Sequence, residues 1–262
     1  MPEVQRRGAP ARPAAAGGAA LDPSAQAWRP RAGRGEGLST SPAMSSAPDE
    51  VTYVRIEFET AEQNHREKYS FTLELHRAWA PVSYSRFLKM SDYGFLQNQR
   101  FVRAIKDFVL DWNYGPQDGT DAAGSKMSKF YENELPWFKP NESDKDAGGV
   151  QQSNTVGTIA FGQEDDGSTK SEVFINIRDN SETLDPRGFW PFGRVVSPGV
   201  STITQEVNFK YGDIFFPNGS RTPEERKNAA VLQKMLIGRG NNYIDRAYKE
   251  MSRIVKSWRV DF

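Results

Sequence analysis

A chain of 262 residues is long enough to bury one sizeable core, as a single large domain or two small ones. Its 34 Lys and Arg balance 34 Asp and Glu, and a formal net charge of +0 gives no electrostatic case for binding nucleic acid or an anionic membrane surface. No cysteine is present, which excludes disulfides, thiolate nucleophiles and Cys-ligated zinc. His65 and His76 are too few for a histidine-rich metal site, and a Ser-His-Asp triad would need one of them. No metal and no cofactor is expected, and no stretch approaches the ~20 apolar residues of a membrane span.

Residues 1–50 differ in composition from the rest of the chain. They are rich in Ala, Gly, Pro and Ser, and they carry Arg6, Arg7, Arg12, Arg29, Arg31 and Arg34. Apart from Trp28 there is almost nothing to bury, so the segment cannot offset its ordering entropy. Two readings stand side by side. A disordered tail implies a cytoplasmic protein, whereas an Arg- and Ser-rich transit peptide implies a mitochondrion or plastid. Glu3 and the prolines work against an amphipathic helix near the start, and Met44 offers an alternative start.

From Val51 the pattern becomes periodic, and residues 51–262 read as one domain. Val51–Phe58 and Tyr69–His76 alternate apolar with polar, predicting two strands joined by the polar link Glu59–Lys68 as a hairpin. Pro81 opens a helix to about Tyr93, closed by Gly94. The run Phe101-Val102-Arg103-Ala104-Ile105-Lys106-Asp107-Phe108-Val109-Leu110 supplies a third and a fourth strand, and strict alternation puts Phe101, Arg103 and Ile105 on one face. An arginine in that setting either lays its stem along a core edge or plants a cation beside an apolar pocket.

Residues 112–155 form a long connection punctuated by glycine and proline, with Trp137 and Phe138 as its apolar anchor. Strands are predicted at Thr155–Phe161 and Glu172–Ile177, around an acidic loop, and at Phe189–Val196, where Pro191 marks an edge or bulge. A short helix covers about Val200–Val207, and a polar loop comes after it. Thr222 caps a helix that begins with Pro223 and ends near Gly238-Arg239-Gly240. Ile254–Val260 closes the chain as a strand. Short strands with two or three helices predict a β-barrel with helical plugs.

Three motifs in order, Ala80–Arg103, Gly157–Asn176 and Leu184–Val195, resemble those of the cyclophilins, a family of peptidyl-prolyl cis-trans isomerases. Ala80–Gly94 and Phe95–Arg103 are similar to the family's helix, Gly-Tyr-Tyr turn and Phe-His-Arg strand, written here Phe101-Val102-Arg103. Gly157–Phe161 with Ser171–Asn176 resembles its Gly-Thr-(Leu/Ile) … Phe-Phe-Ile-Asn segment. Leu184–Val195 resembles Leu-Asp … Phe-Gly-(Lys/Arg)-Val, in a form similar to a divergent, bacterial-like branch, as is Gly240-Asn241-Asn242-Tyr243-Ile244. The resemblance spans about Val51 to Val260. It implies a closed eight-stranded antiparallel barrel capped by helices, with a substrate groove on its outer face.

The same resemblance makes Arg103 the catalytic residue. It places the proline ring against Phe101, Phe108, Val109 and Phe174, and the peptide main chain along Gly162 and Gln163. Asp111 and Glu172 stand where glutamines are usual, Thr183 where a rim tryptophan is usual, and Val102 where a histidine is usual. The position of the family's pocket histidine falls near Gly188 or Phe189. A carboxylate beside Arg103 would hold the guanidinium but draw its donors away from substrate. Weak cyclosporin binding and reduced or selective isomerase activity are therefore expected, on proline-containing segments of client proteins. The alternative is a catalytically silent binding module or a subunit of a larger assembly. A hydrolase built on Glu164, Asp165 and Asp166 is the weakest reading, because such a run suits a solvated turn.

Overall fold

The computed structural model describes residues 49–62, 65–112, 139, 141–163 and 167–262. The N-terminal segment, most of the long connection with Trp137 and Phe138, and the run Glu164–Asp166 lie outside the described residues.

Eight antiparallel strands form a single curled sheet: β1 (Val51–Glu62), β2 (His65–His76), β3 (Arg103–Ala104), β4 (Val109–Trp112), β5 (Thr158–Gln163), β6 (Thr169–Asn176), β7 (Pro191–Ser197) and β8 (Arg253–Val260). Their order across the sheet is β3-β4-β6-β5-β7-β2-β1-β8. The helices are α1 (Pro81–Asp92), α2 (Ser181–Leu184), α3 (Val200–Glu206) and α4 (Pro223–Ala247), with a 3₁₀ turn at Asp185–Arg187 after α2. That is more helix than the sequence pattern suggested.

The first hairpin is longer than its apolar alternation. β1 and β2 stay paired from Val51↔His76 to Glu62↔His65, so most of the expected polar link is strand. Opposite charges sustain it. Arg66 pairs with Glu59 at 2.6 Å and Lys68 with Glu57 at 3.3 Å, the cross-strand pairing that lets polar residues hold a ladder.

Helix α4 keeps the predicted start, with Thr222 and Glu225 forming a reciprocal capping box. It breaks where expected, at Gly240 (φ 56°, ψ −149°), but helical geometry then resumes and runs to Ala247. The loop ahead of it is less polar than its composition suggests. Ile214, Phe215 and Phe216 are buried, and they pack with Val102, Leu236, Ile244 and Met251 in a cluster outside the sheet.

The main core lies inside the curl. Ala104, Leu110, Ile175 and Ile159 are consecutive register partners across β3, β4, β6 and β5, and all four belong to it. The expected closed eight-strand ring is not what the pairing gives, because β3 and β8 terminate the order. Chain flanking the two ends explains this. Backbone hydrogen bonds Asn98 N–H to Ile254 O (2.9 Å) and Ile254 N–H to Gln99 O (2.8 Å) join β8 to the residues before β3. The outer edge of β3 is instead taken by residues 212–214, through Ala104 N–H to Gly212 O at 3.0 Å and Ile214 N–H to Val102 O at 3.4 Å. An edge left open by two unpaired strands is thus covered by neighbouring chain.

Candidate active site

The register row one residue away from the core row lies on the opposite face, because side chains alternate along each strand. It runs Arg103↔Asp111↔Phe174↔Ala160 across β3, β4, β6 and β5. Hydrogen-bonded register therefore sets Asp111 directly beside Arg103. The turn that makes this pairing is tight: Phe108 donates its N–H to Ile105 O at 3.1 Å, and Asp107 takes φ 60°. Aspartate tolerates that left-handed conformation better than most residues.

Arg103 is fully buried and, among the described residues, meets three carboxylates. Its Nη1 donates to Asp111 Oδ2 at 3.0 Å and lies 3.6 Å from Glu172 Oε1, while its Nε donates to Asp213 Oδ2 at 3.1 Å. Asp111 and Glu172, the two carboxylates that stand where the family pattern has glutamines, thus both reach the guanidinium. Gly162 gives Glu172 room, since a Cβ there would stand 3.2 Å from the Glu172 carboxyl carbon.

Asp213 was missed. It lies in the stretch read as a polar loop, and the signal was an acid directly ahead of the apolar run Ile214-Phe215-Phe216. Its Oδ1 accepts from the N–H groups of Phe215 (3.0 Å) and Phe216 (3.3 Å), a local turn that fixes the carboxylate before it meets Arg103.

Phe108, Val109, Phe174 and Phe189 come together in one apolar cluster with Ala160 and Leu184. The Phe174 and Phe189 rings meet edge-to-face at 5.8 Å. Phe108 is the most exposed of the six at 6%, so their apolar surface is turned almost entirely inward. Phe189, one of the two positions offered for the pocket histidine, fills this cluster. Gln163 donates Nε2–H to Gly188 O at 2.6 Å, which ties the end of β5 to the turn before Phe189.

Phe101 is not with them. Its ring sits in the main core, edge-on to Phe58 at 5.9 Å and to Trp112 at 5.7 Å. Alternation fails between Phe101 and Arg103 because Val102 also points away from the core, into the outer cluster with Ile214. The structure thus places Phe101, expected beside the proline ring, in the main core and apart from Phe108, Val109 and Phe174.

Beside the cluster, a surface cavity of about 570 Å³ is lined by residues 105–108 and 178–183, including Lys106, Arg178 and Thr183. Asn180 holds its floor, donating Nδ2–H to Phe108 O at 3.0 Å and to Asn176 Oδ1 at 2.8 Å.

Residues 55–213 match the family model described as cyclophilin type peptidyl-prolyl cis-trans isomerase/CLD. The chain belongs to the cyclophilin family. A curated relative from Neurospora crassa, peptidyl-prolyl cis-trans isomerase-like 2, is 26% identical over 166 residues. That alignment covers 63% of this chain and 24% of the relative, so the chain spans about a quarter of that protein's length. Among solved structures, a cyclophilin-type peptidyl-prolyl cis-trans isomerase from Cryptosporidium parvum aligns with 81% of this chain and 99% of its own, at 14% identity and a TM-score of 0.42. The family match ends at residue 213, where the chain delivers the third carboxylate to Arg103.

Proposed function

We propose that this cyclophilin is a peptidyl-prolyl cis-trans isomerase acting on X-Pro bonds in proline-containing segments of client proteins, with reduced or selective activity. The observation that carries the reading is the row Arg103↔Asp111↔Phe174, which puts a cation and the apolar Phe108–Phe174–Phe189 cluster on one face of the sheet. An X-Pro bond turns over a barrier of ~18–20 kcal/mol. Twisting uncouples the amide and leaves lone-pair character on the prolyl nitrogen, so a donor aimed there favours the twisted form over the planar one. No covalent step and no cofactor is needed.

Reduced activity follows from the same geometry. Opposite unit charges 4 Å apart attract by about 4 kcal/mol at an effective dielectric of ~20, and Arg103 has three carboxylates inside that distance. The field left for a substrate is correspondingly small. The alternative reading is a silent protein-binding module or assembly subunit, in which the buried Arg103 meets no substrate.

Exchange NMR on a proline-containing model peptide separates the two. Wild type is expected to exceed both Arg103→Ala and Arg103→Lys, since lysine keeps a charge without the planar fork. A wild-type rate equal to that of the two variants would assign the protein to binding alone.

A further inference from the structure

Two of the three carboxylates on Arg103 are fixed by the sheet. Asp111 is its cross-strand partner, and Glu172 lies on β6, two residues before the Phe174 that pairs with Asp111. Asp213 has a different origin. It comes from a segment outside the eight strands, laid along the edge of β3 by the backbone bonds of residues 212 and 214. That segment is anchored away from the sheet, where Ile214, Phe215 and Phe216 pack against Leu236 and Ile244 of α4. The carboxylate is fixed within its own turn by the Phe215 and Phe216 amides, and its side chain is 11% exposed.

Asp111 and Glu172 already hold the Nη1 end of the guanidinium, so orientation does not require a third acid. Among the described residues, the Arg103 cation faces the carboxyl groups of Asp111, Glu172 and Asp213. Negative charge beside a prolyl nitrogen that acquires electron density opposes the twisted amide, and the Nε–H is already donated to Asp213.

We propose that Asp213 is a positioning residue that restrains this site: it ties the Arg103 Nε–H to the segment braced by α4 and so holds the arginine in a low-activity setting. The inference rests on the isomerase reading of the same site. The cluster of Ile214, Phe215 and Phe216 with α4 sets how firmly the restraint sits, which couples the C-terminal helix to the rate.

Asp213→Asn is the variant that tests it. The amide oxygen still accepts from Phe215 and Phe216, which preserves the turn, but the NH₂ that replaces Oδ2 cannot accept from Arg103. In the full chain, the isomerisation rate on a model peptide is expected to rise about tenfold, equivalent to ~1.4 kcal/mol of barrier. The gain should appear in kcat with KM little changed. Solvent exchange of the Arg103 Nε–H, read by NMR without substrate, is expected to quicken about as much, because its acceptor is gone.

A wild type faster than Arg103→Lys combined with an Asp213→Asn no faster than wild type overturns the restraint and leaves the isomerase reading intact. Wild type, Arg103→Lys and Asp213→Asn all at the uncatalysed rate would overturn both. Loss of the cooperative unfolding transition in Asp213→Asn would make Asp213 a structural pillar, and that too overturns the proposal.

Discussion

Arg103 holds a fully buried cation in contact with Asp111, which is fully buried as well. Taking two such charges out of water is expensive, and their attraction repays the cost only where geometry is good and further partners are present. Here the strand register supplies the first, and Glu172 and Asp213 supply the second. Removing one member of such a set is worse than never having built it, because the rest stay buried without compensation. Arg103→Ala is therefore expected to cost about 3–5 kcal/mol in urea unfolding, and Arg103→Lys less, since a cation remains among the acids. A loss below about 1 kcal/mol for Arg103→Ala would mean that solvent reaches the carboxylates. The arginine and two of its acids were legible in the sequence because the motif and the two acids that replace its glutamines could be aligned with the family pattern. Asp213 was not, because 110 residues separate it from Arg103 and nothing in the spacing says that its segment returns to the edge of β3.

Elements are joined by polar rows as well as by the core. Tyr53 on β1, Glu74 on β2 and Arg194 on β7 are register neighbours. Glu74 accepts from Tyr53 at 3.2 Å and from Arg194 Nε at 2.9 Å, with His76 Nε2 at 2.8 Å. Burial works to raise the Glu74 carboxyl, but the hydrogen bonds with His76, Arg194 and Tyr53 outweigh it and hold the group below its ordinary 4.5. A carboxyl depressed on folding gives stability that is present above the unfolded value and is lost as pH falls through the folded one. Acid unfolding followed by circular dichroism should thus have a shallower limb below about pH 4.5 in Glu74→Gln than in wild type, and equal limbs would show that the row adds nothing. At the other end of the hairpin, the charge pairs Arg66–Glu59 and Lys68–Glu57 lie where β1 and β2 run beyond their apolar pattern. Alternation reports which residues face the core, whereas charge pairs such as Glu59–Arg66 decide how far a ladder extends.

At the scale of the whole molecule, the sheet depends on a strand made by the end of the chain. β8 pairs with β1 from Tyr53↔Val260 to Glu59↔Arg253, and Ile254 lies fully inside the main core. Its backbone also bonds to Asn98 and Gln99, so β8 ties the first strand to the residues that lead into Arg103. The family motifs foretold this architecture in outline. The open order β3 … β8 was not legible, because covering the β3 edge with residues 212–214 is a tertiary choice with no local signature. Joining strands some 200 residues apart in sequence makes the fold rich in non-local contacts, which form late and slowly. Deleting Arg253–Phe262 would expose the outer ladder of β1 and empty the place of Ile254, and the deletion would also release the chain before Arg103. Urea unfolding of that truncation is expected to lose its single sharp transition and to show a smaller dependence on denaturant, since less surface remains to be exposed. An undiminished cooperative transition would show that the curl is held by β1–β7 and α1 without the closing strand.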